Sequence, residues 1–457
     1  MRQFTIENLH PNIPYKDGPE IILTCGNTDG FAKTLEALSN EWAEGRDDVL
    51  EKQGLLVEEF AYMNAIQAGR PRGLNIIPVG VDEEGMTASG AGGLADVLEN
   101  WDPSCGKRPH LMYTVTIGQN PTSGTLSVVR RKEIYALCVQ YDIIIVEDDP
   151  YWYLQYPSAN IAAFTAATQD PSPPSDKRSS GYPFLDSLVP SYLSVDTQGR
   201  VVRLDTFSKT VAPGCRLGWI TTQPALCERL LRITETSTQQ PSGFVQSMIA
   251  QLIIGPQSHH GKGGGKSDEG WKTDGWVRWL EGLRGNYERR MQTMCHILAS
   301  NAHLVRSGRR PSLSSSLSQG AEDGWAVISS SLMYTFTRPL GGMFIWLRLH
   351  LETHPLSSKV PLPKLAHALW LHLTTPKYLL LVAPGTLFAP TEKIREEKSW
   401  MYFRICFAAV DDELVEGMSW RFVEACRSFW RKKRVDEIEE MAGRDGIKDL
   451  EGLGWVC

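Results

Sequence analysis

Lys209 and Arg216 lie seven residues apart in the stretch LDTFSKTVAPGCRLGWI, Leu204–Ile220. A lysine amine can serve as nucleophile or base, and a guanidinium can clamp an anion with two parallel bonds. The run VVRL reads as a strand entering a core and RLGWI as a second strand. The Ser-, Thr-, Pro- and Gly-rich turn between them holds both cations near one loop. Other polar groups also follow strand-like runs. Gly26, Asn27 and Thr28 come after IILTC and before a helical period. Asn27 or Thr28 suits an N-cap, and the same free amides and positive dipole end suit an anion. Asn120–Gly124, NPTSG, follows YTVTIGQ and by itself is an ordinary turn. Glu147, Asp148 and Asp149 follow DIIIV, where carboxylates can bind a metal, cap a helix or act as a base. Arg404 stands inside the apolar run YFRICF, and a buried arginine demands a partner.

Two imitations carry no chemistry. In GKGGGKS, Gly261–Ser267, His260 occupies the place of the first glycine of a phosphate-binding loop, and no strand precedes it. His259 and His260 have no cysteine or acidic partner at ligand spacing, so no metal site is expected.

The elements that must position these residues alternate. From Ile21 to about Thr222, short runs rich in Val, Ile and Leu alternate with helical periods such as RRKEIYALCVQY, which puts Ile134, Leu137, Cys138 and Tyr141 on one face. This predicts an α/β large domain with a mostly parallel sheet sandwiched by helices, plus a smaller C-terminal α+β domain. Residues 1–20 read as a remnant of an N-terminal region, 21–290 as the large domain with polar loops at 167–181 and 255–270, and 291–457 as the small domain. A low-complexity insertion is expected at about 307–324, and a long helix from Thr273 to about Ser300. Near the C-terminus, Leu414, Met418, Phe422, Cys426 and Phe429 form an apolar stripe.

With 457 residues, 42% of them hydrophobic, the chain can bury one large core and a second. A net charge of −6 argues against a broad nucleic-acid footprint. Nine scattered cysteines without a CxxC pair fit a reducing compartment, and no run is long and apolar enough to span a bilayer. The expectation is a cytoplasmic protein with no membrane or nucleic-acid partner.

In order along the chain, GNTDG, NPTSG, EDDPYWYLQY, FSK with Arg216 behind it, GGMFIWLRL and YFRICF resemble the fold-type I pyridoxal-phosphate aminotransferases. The likeness is to the fungal aromatic amino acid and kynurenine/2-aminoadipate branch, and it runs from about His10 to Trp430. The resemblance implies pyridoxal phosphate as cofactor, small-molecule amino acid and 2-oxo acid substrates, and a homodimer. It implies that Lys209 bonds the cofactor aldehyde and moves the substrate's α-proton. Arg216, Thr206 and Ser208 hold the phosphate, helped by Gly26, Asn27 and Thr28. Asp148 pairs with the ring nitrogen, Tyr151 and Asn120 bond the phenolic oxygen, Tyr62 stacks on the ring, and Arg404 binds the substrate carboxylate. The donor is expected to be an aromatic L-amino acid. A 2-aminoadipate- or lysine-type substrate, or a non-catalytic binding role, is the alternative. Relatives carry an N-terminal arm over the substrate that has no counterpart here, so a truncated chain or a different lid is expected.

Overall fold

The computed structural model describes residues 1–170, 177–254, 272–309 and 325–443. Two compact units emerge. The first contains Met1–Arg289, Arg338–Phe344 and Phe388–Ile394; the second contains Arg290–Thr337, Ile345–Leu387 and the chain from Arg395 onward. Residues 338–344 and 388–394, expected in the C-terminal domain, thus cluster with the first unit. Phe4 and Leu9 are buried in the first unit's core, so residues 1–20 pack as part of that unit.

In the first unit the apolar runs become β1 (Glu20–Thr24), β2 (Gly54–Glu58) and β3 (Asn75–Val79), followed by a short hairpin of β4 (Val81–Asp82) and β5 (Gly85–Met86). Then come β6 (Leu111–Thr114), β7 (Ile144–Asp148), β8 (Val201–Thr206) and β9 (Gly218–Thr222). Seven of them form one sheet in the order β1-β9-β8-β7-β6-β2-β3. Only β9 runs against its neighbours. The connection 207–217 contains no crossover helix, so β8 and β9 pair as a hairpin, as a short link requires. Strands β2, β6 and β8 are buried along their whole length, as parallel strands covered on both faces are.

The helix Asn27–Leu38 covers one face, with Phe31 and Leu35 buried and the Phe31 ring 4.8 Å from that of Tyr113. The helix Val128–Gln140 starts where Ser127 Oγ accepts from the Arg130 amide at 3.2 Å, and it buries Ile134 and Cys138. Arg131 on the same helix is fully buried too, which apolar periodicity does not mark.

The second unit pairs β10 (His303–Arg309) with β11 (Trp325–Leu332). It also builds a sheet of β12 (Tyr334–Phe336), β13 (Phe344–Leu349), β14 (Ala383–Pro384) and β15 (Tyr402–Cys406) in the order β12-β13-β15-β14. Ser307–Arg309 belong to β10, so the insertion expected from Ser307 starts no earlier than residue 310. The helix Thr273–Ser300 has the expected bounds. The helix Asp412–Trp430 buries Val415, Ser419, Phe422, Cys426 and Phe429, whereas Leu414 is 55% exposed. Of the expected stripe, Phe422, Cys426 and Phe429 face inward, Met418 is half-buried and Leu414 lies outside, because Val415 and Ser419 occupy the inward row that leads to Phe422. Of the expected polar loops, the first begins within the helix Ile161–Thr168. Residues 171–176, 255–271 and 310–324, with GKGGGKS, His259 and His260 among them, lie outside the described residues.

Candidate active site

The pleat of β7 sorts the three consecutive acids. Asp148 lies beside Leu204 of β8 and turns toward the helix Asn27–Leu38. Its Oδ1 accepts from Asn27 Nδ2 at 2.6 Å and its Oδ2 from the Tyr113 hydroxyl at 2.7 Å. The same Asn27 nitrogen donates to the Leu204 carbonyl at 3.2 Å, and two acceptors fix which way the amide points. Glu147 and Asp149 turn to the opposite face, where the buried Arg203 guanidinium lies 2.9 Å from Glu147, 3.4 Å from Asp149 and 3.0 Å from Asp205. Arg131 adds a 2.8 Å bond to Glu147. Asp149 also accepts from the amides of Thr116 and Ile117 and from Thr116 Oγ1. Asp149 is therefore saturated as a structural acceptor. Among the described residues Asp148 has only neutral donors. Burial pushes its carboxyl up to about 6, the bonds from Tyr113 and Asn27 pull it down, and the nearby Asp149 and Asp205 raise it.

A cradle opens beside it. The helix Asn27–Leu38 begins at Gly26, with φ 96° and no side-chain cap. Neither Asn27 nor Thr28 is the N-cap, because both already lie inside the helix and Asn27 is committed to Asp148; Thr28 is exposed. The amides of an uncapped first turn favour an anion. Arg216, itself held at φ 45°, donates through Nη2 to the Cys25 carbonyl at 2.7 Å and through Nη1 to Ser208 Oγ at 3.4 Å. Thr206 Oγ1 lies 2.9 Å from Ser208 Oγ. A Cβ on residue 26 would come within 2.3 Å of Arg216 Nη2, so only glycine leaves this space to the guanidinium. Lys209 lies between Ser208 and Arg216, half-buried, with no acidic partner among the described residues.

The remaining expected residues divide between the units. Asn120 is buried in the first unit, as is Tyr151, whose ring meets Phe344 edge-on at 5.7 Å. Tyr62 is half-buried at the start of the helix Met63–Gly69, and its hydroxyl accepts from Asn64 at 2.7 Å. Arg404 belongs to the second unit, buried on β15 opposite Ala383. It lines an apolar cavity of about 360 Å³ with Trp370, Leu380, Val382 and Phe422. Tyr113, Glu58 and Arg203 were not singled out in the sequence. Arg203 carried the same signal as Arg404, a charge within an apolar strand run. Among the described residues no group of three His, Cys, Asp or Glu could hold a metal, and no helix is long and apolar enough to cross a membrane.

The residues present fit pyridoxal phosphate. A buried carboxylate without a cationic partner suits a protonated ring nitrogen, and the glycine-floored cradle of guanidinium, hydroxyls and helix amides suits the phosphate. Lys209 supplies an amine on the loop that links them.

The profile of the family "Aminotransferase class I and II" matches residues 47–299. An aromatic amino acid aminotransferase of Schizosaccharomyces pombe is 32% identical over 88% of this chain and 71% of its own length. An L-tyrosine:2-oxoglutarate aminotransferase of Tapinella panuoides is 35% identical over 73% of this chain. The present chain spans only about half, 52%, of that second relative. Among solved structures, the aminotransferase Aro8 from Candida albicans superposes with a TM-score of 0.69 at 29% identity, covering 94% of this chain and 76% of its own. With more than half of the chain matched by the family profile and a relative 32% identical over 88% of it, the chain belongs to the class I and II aminotransferase family.

Proposed function

We propose that the protein transfers the amino group of an aromatic L-amino acid to a 2-oxo acid, with pyridoxal phosphate as cofactor. One observation carries this reading. Asn27 joins the buried Asp148 to the turn that Arg216 closes, so a ring-nitrogen acceptor and a phosphate cradle share one residue, with Lys209 on the adjoining loop. When bound, the cofactor supplies an aldehyde for covalent attachment and a ring that accepts the electron pair left at the substrate's α-carbon.

Each residue then has a task. Lys209 would hold the cofactor through its aldehyde and, once the substrate's amine has displaced it there, its freed amine would take and return the α-proton. Asp148 holds a proton on the ring nitrogen. Asn120 and Tyr151 orient the ring through its phenolic oxygen, and Tyr62 covers its face. Arg216, Ser208 and Thr206, with the amides of Gly26, Asn27 and Thr28, fix the phosphate. Arg404 takes the substrate carboxylate with its planar fork. The aromatic donor is supported by the names of the relatives and by the aromatic surface of Tyr62, Tyr151 and Phe344. A cytoplasmic homodimer belongs to the same reading. Every described cysteine is a free thiol, and the helix Gly243–Ile254 leaves Phe244 76% exposed.

The test is the purified protein loaded with cofactor and titrated with a panel of amino acids and oxo acids, beside Lys209→Ala. Wild type should change colour with aromatic donors and turn over. The alanine variant should lose at least about 10³-fold of turnover, as expected when one group is both nucleophile and base. Near-normal transamination by Lys209→Ala would overturn the assignment.

A further inference from the structure

Asp148 is gripped by two side chains that the sequence did not assign to it, and the grip has a consequence for the cofactor. We propose that Asn27 and Tyr113 are positioning residues that keep Asp148 ionised and aimed, and that Asn27 couples the phosphate end of the site to the ring-nitrogen end. The inference rests on the cofactor reading of this site, not on the identity of the substrate.

The two carboxylate oxygens have different anchors. Oδ2 is tied to β6 through Tyr113, whose fully buried ring packs on Phe31. Oδ1 is tied to the first residue of the helix Asn27–Leu38. That residue's nitrogen also grips the Leu204 carbonyl, so any shift of the helix start is felt by both β7 and β8. An anion drawn onto the helix amides pulls on the same turn that carries this amide. Phosphate and ring nitrogen therefore bind to one rigid unit, and each should pre-order the other's partner.

The charged and titratable groups facing Asp148 sharpen the argument. Asp149 follows it directly at the end of β7 and Asp205 lies on β8, and both oppose its ionisation, while Tyr113 has a phenol that burial holds protonated. No cation among the described residues bonds Asp148. Two neutral hydrogen bonds are what favour the anion before the cofactor arrives. Each such bond favours the charged form enough to move its titration by about one unit, a tenfold change.

The experiment measures binding, not turnover. Dissociation constants for pyridoxal phosphate and for pyridoxal, which lacks the phosphate, are determined on apoprotein from pH 5 to 8. The proteins are wild type, Tyr113→Phe, Asn27→Ala and, as reference, Asp148→Asn. In parallel the Asp148 carboxyl is titrated in apoprotein by carbon-13 NMR. In Tyr113→Phe that titration and the pH midpoint of binding should rise by about one unit, making binding about tenfold weaker at the acid end. Asn27→Ala should show a similar rise and, in addition, a several-fold smaller ratio between the two ligands. Asp148→Asn should lack the shared midpoint. Uniformly weaker binding with an unmoved midpoint and an unchanged ratio would mean that both residues only pack, and the proposal fails. Wild-type titration and affinities in the two variants would overturn it as well. Failure of the wild type to bind pyridoxal phosphate at all would instead overturn the cofactor reading beneath it.

Discussion

Glu58, at the end of β2, is a carboxyl group kept inside the first unit. It accepts from Thr114 Oγ1 at 2.7 Å and from the Val115 amide at 3.1 Å, while its other oxygen is buried without a hydrogen bond. Burial pushes it up to about 7 from an ordinary 4.5, against the bonds that lower it. In the folded state it therefore keeps its proton over a pH range where the unfolded chain has lost it. The sign follows: stability is full below about 4.5 and is lost as pH rises through 7. Glu58→Gln preserves the shape and removes the ionisation, so it should be neutral at pH 4.5 and stabilising by ~3 kcal/mol at pH 8. Urea unfolding at both values measures this, and an equal effect at both would show that Glu58 is not protonated in the fold. Such a residue is hard to find in a sequence, because a glutamate closing an apolar run looks like any solvated strand end. Lys209, Arg216 and Asp148 were legible through their motifs. Their helper Tyr113 was not, since a tyrosine in a strand is ordinarily core.

At the scale of the element, β8 organises more than its length suggests. Arg203 and Asp205 point to one face and Leu204 and Thr206 to the other, so one strand supplies both the ionic web beneath the sheet and a hydroxyl of the cradle above it. Arg203 is fully buried among Glu147, Asp149 and Asp205, and its guanidinium lies 5.3 Å from the Trp152 ring. Arg203→Leu would take the buried cation from Asp205 and leave Glu147 with Arg131 and Asp149 with its amide and hydroxyl donors; it should cost about 3–5 kcal/mol, the usual penalty for orphaning a buried charge. Denaturant unfolding of the apoprotein checks it; a loss below 1 kcal/mol would mean water or rearranged neighbours replace the arginine. The strands themselves were visible as Val-, Ile- and Leu-rich runs, because a covered parallel sheet needs side chains that are apolar on both faces. The limits of helices were less so. Asn27 suits an N-cap by type, but its side chain is held by Asp148, so the cradle helix starts one residue earlier than that type implies.

For the whole molecule, the helix Gly243–Ile254 is apolar nearly all round. Ile249 and Ile253 enter the first unit's core, while Phe244, Met248 and Ile254 are 76%, 52% and 56% exposed. A helix with both faces apolar is stable in water when something covers the outer one. Under the homodimer reading, Phe244→Glu with Met248→Glu should move the protein from dimer to monomer in sedimentation velocity without loss of helical signal. An unchanged sedimentation coefficient would assign the interface elsewhere.

The alternation of Glu147, Asp148 and Asp149 also bears on strand register. If β7 docked one residue out of step, Glu147 and Asp149 would face Phe31 and Leu204, and Asp148 would replace them beside Arg203. Each misplaced carboxylate costs several kcal/mol in an apolar layer. Slipped pairings of this sheet are thus strongly disfavoured, and the site's charges act as proof-readers of the chain that carries them.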